Sequence, residues 1–214
     1  MIKAYLFDFD GTLVDSMPAY VSIMTGVLDE YGIEYGDDFI KTITPLGMEG
    51  TARYFIEELG VKLSLEELIE KFGKNMYYEY ANNIMAKENV IPVLKELKER
   101  GVSLNVLTAS PHLTLDVCLK RLGIFDLFDN VWSCDDFNTT KANPEIYRMA
   151  AEKIGENIEE ILFLDDNFNA DKTAKSAGMK VCGVYDESSA EYVNEMKELT
   201  DFYIYDFKEL SEIA

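Results

Sequence analysis

Two carboxylates one residue apart stand near the start of the chain, in Asp8-Phe9-Asp10-Gly11-Thr12. At the end of an extended strand, side chains two positions apart share a face. Asp8 and Asp10 would then converge as hard oxygen donors of the kind that suits Mg²⁺. The same pair also reads as a plain acidic turn. Gly11 and Thr12 favour a site, because glycine lets the backbone approach a ligand and the N–H groups of a following turn can hold phosphate oxygens. A second acidic pair, Asp165-Asp166, closes the apolar run Ile161-Leu162-Phe163-Leu164. Adjacent carboxylates repel each other, and a cation resolves that repulsion. Between the two pairs lie Thr108, a hydroxyl ending another apolar run and followed by Ala109 and Ser110, and the loop lysine Lys141.

These side chains need a scaffold that brings distant positions together. Residues 2–7 form a short apolar run ending in a polar, glycine-containing turn, as a buried parallel strand does. Residues 102–107, 160–164 and 180–185 repeat the pattern and end at Thr108, Asp165 and Asp186. Helical periodicity occupies residues 90–100, 114–122, 144–154 and 170–177, each closed by a glycine suited to a helix C-terminus. Strands alternating with helices predict an α/β fold, a doubly wound Rossmann-like parallel sheet, whose ligands bind at the C-terminal strand ends. Residues 19–31, 51–59 and 65–82 are helical in pattern with no convincing strand among them. The expected organisation is therefore a core of residues 1–15 and 86–214 and an all-helical insert at residues 16–85. The segments Tyr35-Gly36-Asp37-Asp38 and Pro45-Leu46-Gly47 suit turns between the insert's helices.

The order of these segments resembles the haloacid dehalogenase-like hydrolases. Asp8-Phe9-Asp10-Gly11-Thr12-Leu13-Val14-Asp15-Ser16 looks like that family's first motif. In it the first aspartate is the nucleophile that becomes an aspartyl-phosphate, and the second is the general acid and base, its backbone carbonyl also a Mg²⁺ ligand. Those roles carry over to Asp8 and Asp10. Thr108-Ala109-Ser110 resembles the second motif, which holds the transferring phosphoryl group through a hydroxyl and backbone N–H groups. Lys141-Ala142-Asn143-Pro144-Glu145-Ile146-Tyr147 is similar to the third, with Ala142 where proline is common. The resemblance makes Lys141 the partner of the phosphate and of Asp8. Asp165-Asp166-Asn167 is similar to the fourth motif, where the resemblance makes Asp166 a metal ligand and Asp165 a direct or water-mediated one. The chain departs from the family at Ala170, where many members have aspartate; Asp171 follows one position later.

The helical insert looks like the cap of the phosphoglycolate phosphatase and β-phosphoglucomutase-like subgroup, which in that subgroup closes over the site and selects substrate. Arg53 is the candidate cap side chain for a substrate anion, with an ordinary surface arginine as the bland alternative. His112, the single histidine, is expected in a loop beside the site, solvated or capping more readily than catalytic. Asp135 and Asp136 read as a solvated acidic turn. The activity implied is Mg²⁺-dependent hydrolysis of a small phosphomonoester. The rivals are a phosphomutase, which passes the phosphoryl group to a second sugar hydroxyl, and a non-catalytic binding protein that retains the fold.

Composition bounds the partners. A hydrophobic fraction of 48% is globular and rules against a disordered chain. Forty acidic against 20 basic side chains give a net charge of −20, whose field repels polyanions, so nucleic acid is not an expected partner. A small phosphorylated metabolite needs a locally positive site within that field, from metal, lysine or N–H groups. Cys118, Cys134 and Cys182 are odd in number and show no C-x-x-C spacing, which suggests reduced thiols and a cytoplasmic setting. The early acids interrupt any signal-peptide pattern, and no apolar run reaches 18 residues, so no membrane partner is expected. A monomer or homodimer is the expected assembly.

Overall fold

A computed structural model describes residues 2–36, 38–43 and 46–213. Asp37 and Pro45, expected in turns, lie outside the described residues. The elements run β1 (Ala4–Phe7), α1 (Met17–Glu30), α2 (Phe39–Ile43), α3 (Gly47–Glu57), α4 (Leu65–Asn82), α5 (Val90–Glu99), β2 (Ser103–Thr108), α6 (His112–Arg121), β3 (Asn130–Ser133), α7 (Glu145–Ile154), β4 (Ile161–Asp165), α8 (Phe168–Ala177), β5 (Lys180–Val184), α9 (Val193–Leu199), β6 (Phe202–Ile204) and α10 (Leu210–Ile213). Short 3₁₀ turns join several of them.

All six strands are parallel, in the order β3-β2-β1-β4-β5-β6. This is the doubly wound Rossmann-like α/β sheet expected from the alternating pattern. The order reverses beside β1, between β2 and β4, which is where such sheets open a crevice at their C-terminal strand ends.

The apolar strands are buried on both faces. Ala4, Leu6, Ile161, Phe163 and Val181 line one face and pack with Ile146, Tyr147 and Ala150 of α7 and Ala170, Ala174 and Ala177 of α8. The small residues of α8 permit its close approach to the sheet. Tyr5 and Phe7 line the other face, and Phe7 stacks on Phe207 at 6.2 Å between ring centres. Leu6 pairs with Phe163, and Phe7 with Leu164, so the next residues, Asp8 and Asp165, arrive at the same level. The apolar stripe on the α7/α8 face therefore ends in acids.

The chain divides into two compact units, residues 1–16 with 84–214 and residues 17–83. Ser16, Ile84 and Met85 belong to the sheet unit, whereas the expected boundaries assigned them to the insert. The reason is local pairing. Asp15 N–H donates to Met85 O at 3.0 Å, Lys87 N–H donates to Leu13 O at 3.0 Å, and Val14 bridges Ala86.

The helical unit has its own core. Met24, Leu28, Phe55, Leu68 and Phe72 are fully buried, and Phe55 meets Phe72 edge to face at 5.6 Å. Helix α4 opens on a capping box in which Ser64 Oγ accepts from Glu67 N–H and the Glu67 carboxylate accepts from Ser64 N–H.

Candidate active site

The first carboxylate, Asp8, follows β1 directly, and its N–H donates to Leu164 O at 2.8 Å, tying it to β4. Asp165 ends β4, and its Oδ1 accepts from Asn167 N–H at 2.8 Å. Asn167 then caps α8, its Oδ1 accepting from the N–H groups of Asn169 and Ala170 at 3.0 and 3.2 Å. Carboxylate oxygens of Asp8, Asp165 and Asp166 all lie within 4.8 Å of one another.

Lys141 reaches into this cluster. Its Nζ donates to Asp8 Oδ1 and, at 2.7 Å, to Asp165 Oδ2. The ammonium also lies 5.5 Å from the centre of the Phe163 ring. Its backbone is held from behind, because the Tyr147 hydroxyl lies 3.2 Å from both Lys141 O and Ala170 O, on hydrogen bonds that join the lysine loop to α8. At the start of α7, Asn143 Oδ1 accepts from Glu145 N–H at 3.0 Å. Across Ala142, which stands where proline is common, the loop is closed by Asn143 N–H donating to Thr140 O at 3.0 Å.

Burial and crowding shape the acidity of the cluster. Burial, assisted by the neighbouring Asp165 and Asp10 and opposed by Lys141, pushes the Asp8 carboxyl up to about 7. Burial, then Asp165, Asp8 and Asp186, raise Asp166 well above the usual carboxylate range, with Lys87 opposing. Burial works against the charge of Lys141, but Asp165 and Asp8 outweigh it and hold that ammonium firmly protonated.

The turn after Asp8 presses on Asp166. Gly11 has φ +76°, and a β-carbon there would lie 2.6 Å from Asp166 Oδ2. Thr12 Oγ1 donates to Asp166 Oδ1 at 3.2 Å. Asp10 is linked to the β2 end, where Ser110 Oγ donates to its Oδ2 at 2.5 Å. The buried Thr108 hydroxyl accepts from Ser110 N–H at 3.1 Å, while Ala109 is exposed. Direct contacts thus join Lys141 to Asp8 and Asp165, Gly11 and Thr12 to Asp166, and Ser110 to Asp10, and the oxygens of Asp8, Asp165 and Asp166 cluster within 4.8 Å.

Other candidates are engaged elsewhere. On the exposed side of α3, Arg53 forks onto Glu49 Oε1 at 3.1 and 2.7 Å. His112 is the first residue of α6, not a loop residue. Its ring nitrogens lie 2.9 Å from Asp116 Oδ1 and 2.8 Å from Asp136 Oδ2, and these acids raise its pKa. Asp136 also accepts from Ser133 N–H at 2.9 Å, so it is a capping acid and not merely solvated.

Lys87, which contacts Gly11, has no counterpart among the sequence candidates and sits in an unremarkable polar stretch. Asp171, the acid one position beyond Ala170, is fully buried on α8 with neither carboxylate oxygen hydrogen-bonded.

Residues 5–184 match the profile of the haloacid dehalogenase-like hydrolase family. The chain belongs to that family. YhcW of Bacillus subtilis is 31% identical over 194 residues, covering 84% of this chain and 82% of its own. The pyrophosphatase PpaX of Bacillus velezensis is 29% identical over 185 residues, covering 86% and 83%. Among solved structures, a predicted phosphoglycolate phosphatase from Haemophilus somnus shares the fold with a TM-score of 0.82 at 24% identity, over 99% of this chain and 97% of that one. Among the described residues no helix is long and apolar enough to cross a membrane.

Proposed function

We propose that this phosphohydrolase cleaves a small phosphomonoester in two steps through a phosphoryl group carried on Asp8, with Mg²⁺ as cofactor. The observation that carries the reading is the Lys141 ammonium, shared between Asp8 and Asp165 beside Asp166. It keeps a nucleophilic carboxylate next to fixed positive charge at the mouth of a doubly wound sheet.

The donor set fits the metal. Mg²⁺ prefers oxygen ligands, and Asp8, Asp165 and Asp166 offer only oxygens. Three clustered carboxylates, of which only Asp8 and Asp165 pair with the Lys141 ammonium, form a set of oxygen donors that suits a divalent cation. The carbonyl of Asp10 would complete the protein's share. When bound, the ion would neutralise charge on the phosphoryl oxygens.

Asp8 attacks phosphorus, and the bond from phosphorus to the ester oxygen breaks as Asp10 gives that oxygen its proton. Asp10 then takes a proton from water, whose oxygen attacks the aspartyl-phosphate and releases inorganic phosphate. Ser110 holds Asp10 for both transfers. The Thr108 hydroxyl and the N–H groups of Thr12 and Ala109 would hold the phosphoryl oxygens, with Lys141 supplying positive charge, while the N–H groups of Gly11 and Ser110 brace this cradle through Val14 O and Thr108 Oγ1.

The test is phosphate release from sugar phosphates, phosphoglycolate, nucleotides, cofactor phosphates and pyrophosphate, with and without Mg²⁺. Turnover of at least one ester, stopped by EDTA and restored by Mg²⁺, is expected. A flat response across the panel overturns the reading, and isomerised sugar phosphate without phosphate release would replace it with a mutase.

A further inference from the structure

Lys87 lies where the chain re-enters the sheet unit, just ahead of α5. Its ammonium donates to Gly11 O at 2.7 Å, Tyr185 O at 2.6 Å and Asp186 Oδ2 at 2.9 Å. An ammonium has three N–H donors, so each one is used. The side chain is one-fifth exposed and that of Asp186 is nearly buried. Asp186 is fixed in turn, its Oδ1 accepting from Ser188 N–H at 3.0 Å and from Ser188 Oγ at 2.6 Å. This is an anchored tripod and not a loose surface pair.

The tripod acts on Gly11. The Gly11 carbonyl is held by Lys87, while the Gly11 N–H donates to Val14 O at 2.9 Å. The residue held at both its N–H and its carbonyl is the one whose β-carbon position lies against the Asp166 carboxylate, and the next residue, Thr12, donates to that carboxylate. We propose that Lys87 is a positioning residue which, by gripping Gly11, sets the Asp10-Gly11-Thr12 turn against Asp166 and so fixes the cation-binding orientation of that carboxylate. The inference rests on the reading of Asp166 as a Mg²⁺ ligand.

The direction of the effect separates positioning from charge. Lys87 carries a positive charge near Asp166, so charge alone predicts that removing it strengthens Mg²⁺ binding. Positioning predicts weakening, on the scale of about 10-fold to 100-fold known for groups that orient metal ligands. A merely structural lysine would lower the melting temperature and leave the affinity of the folded protein unchanged.

The experiment is calorimetric titration of Mg²⁺ into the full chain stripped of metal, comparing wild type, Lys87→Met, Lys87→Arg and a surface control, Lys98→Met, whose ammonium pairs with the exposed Asp129. Lys87→Met is expected to bind about 10-fold to 100-fold more weakly, with Lys98→Met unchanged. Should Lys87→Met fail to fold, Lys87→Arg decides. It keeps the charge, but its planar fork does not reproduce the tripod, so several-fold weaker binding supports the inference. Wild-type or tighter binding in a folded Lys87 variant overturns it. If the wild type itself binds no Mg²⁺ and releases no phosphate, the reading of the site fails instead.

Discussion

Gly11 stands against Asp166 so closely that a β-carbon at position 11 would lie 2.6 Å from Asp166 Oδ2 and 2.7 Å from its carboxyl carbon. The backbone there is also left-handed, at φ +76°. Gly11→Ala therefore meets two obstacles, strain of about 1–3 kcal/mol and displacement of the carboxylate. Urea melts should show that loss, and phosphate release should fall by at least about 10-fold at subsaturating Mg²⁺. Wild-type turnover in this variant would mean that Asp166 need not hold its place.

Asp8→Asn removes the proposed nucleophile while leaving Asp165 to pair with Lys141. Phosphate release should fall by about four orders of magnitude or more, the scale seen when a covalent catalyst loses its central group. Circular dichroism should show the fold unchanged. Substantial residual activity would sink the role given to Asp8.

Lys141→Met leaves buried carboxylates without their ammonium. Breaking one side of a buried ion pair costs about 3–5 kcal/mol, and the metal-free variant should lose stability on that scale. Combining it with Asp8→Asn should recover part of the loss, because one of the stranded charges is then gone. Additive losses in denaturant titrations of the two single variants and the double variant would show that Lys141 and Asp8 do not interact energetically.

The pH dependence of stability follows from the same acids. Asp8, Asp166 and Asp171 have folded pKa values raised above the unfolded value near 3.8. The folded state holds protons that the unfolded state has released, so metal-free stability falls as pH rises from the unfolded value through the raised folded ones, about 7 for Asp8. His112 acts in the same direction. Its stabilising pairing with Asp116 and Asp136 is complete below its unfolded pKa of 6.5 and is lost as pH rises through the higher folded one. Thermal melts from pH 5 to 8 should decline without metal and decline less with saturating Mg²⁺. A flat metal-free profile would show that these acids are not protonated in the fold.

Asp171 gives an independent test. Its carboxyl is fully buried with no hydrogen bond, and burial, then Asp165 and Asp166, raise its pKa well above the usual range. A buried polar group left without a hydrogen bond costs about 1–3 kcal/mol, and a hydrophobe there removes that cost. Asp171→Leu should raise the melting temperature of the metal-free protein at pH 8. A fall would mean that the carboxyl serves the fold through a partner it acquires in solution.

Strands β1, β2, β4 and β5 were legible because they are apolar and buried on both faces, and the acids or hydroxyl that end them stand out against that run. Strands β3 and β6 carry no such signal. Their residues Asn130, Val131, Trp132, Phe202 and Tyr203 are only half-buried at the sheet edges, so neither alternation nor a continuous apolar run marks them. The site residues could be named from strand ends, but their cross-links could not. The contact of Ser110 with Asp10 spans 100 positions and that of Lys87 with Gly11 spans 76. No local pattern encodes such pairs. At Arg53 the one contact a local pattern does encode is the pair with Glu49, one helical turn away.

The hydrogen bond from Asp15 to Met85 and the bridge between Val14 and Ala86 bring the two ends of the excursion through residues 17–83 together within the sheet unit. In polymer terms that excursion is a long loop whose ends are already clamped, and the entropy of closing a loop grows only slowly with its length. Each doubling of the excursion's length would therefore add only about 0.6 kcal/mol to its closure cost. The register that aligns Asp8 with Asp165 is set by strand pairing outside the excursion.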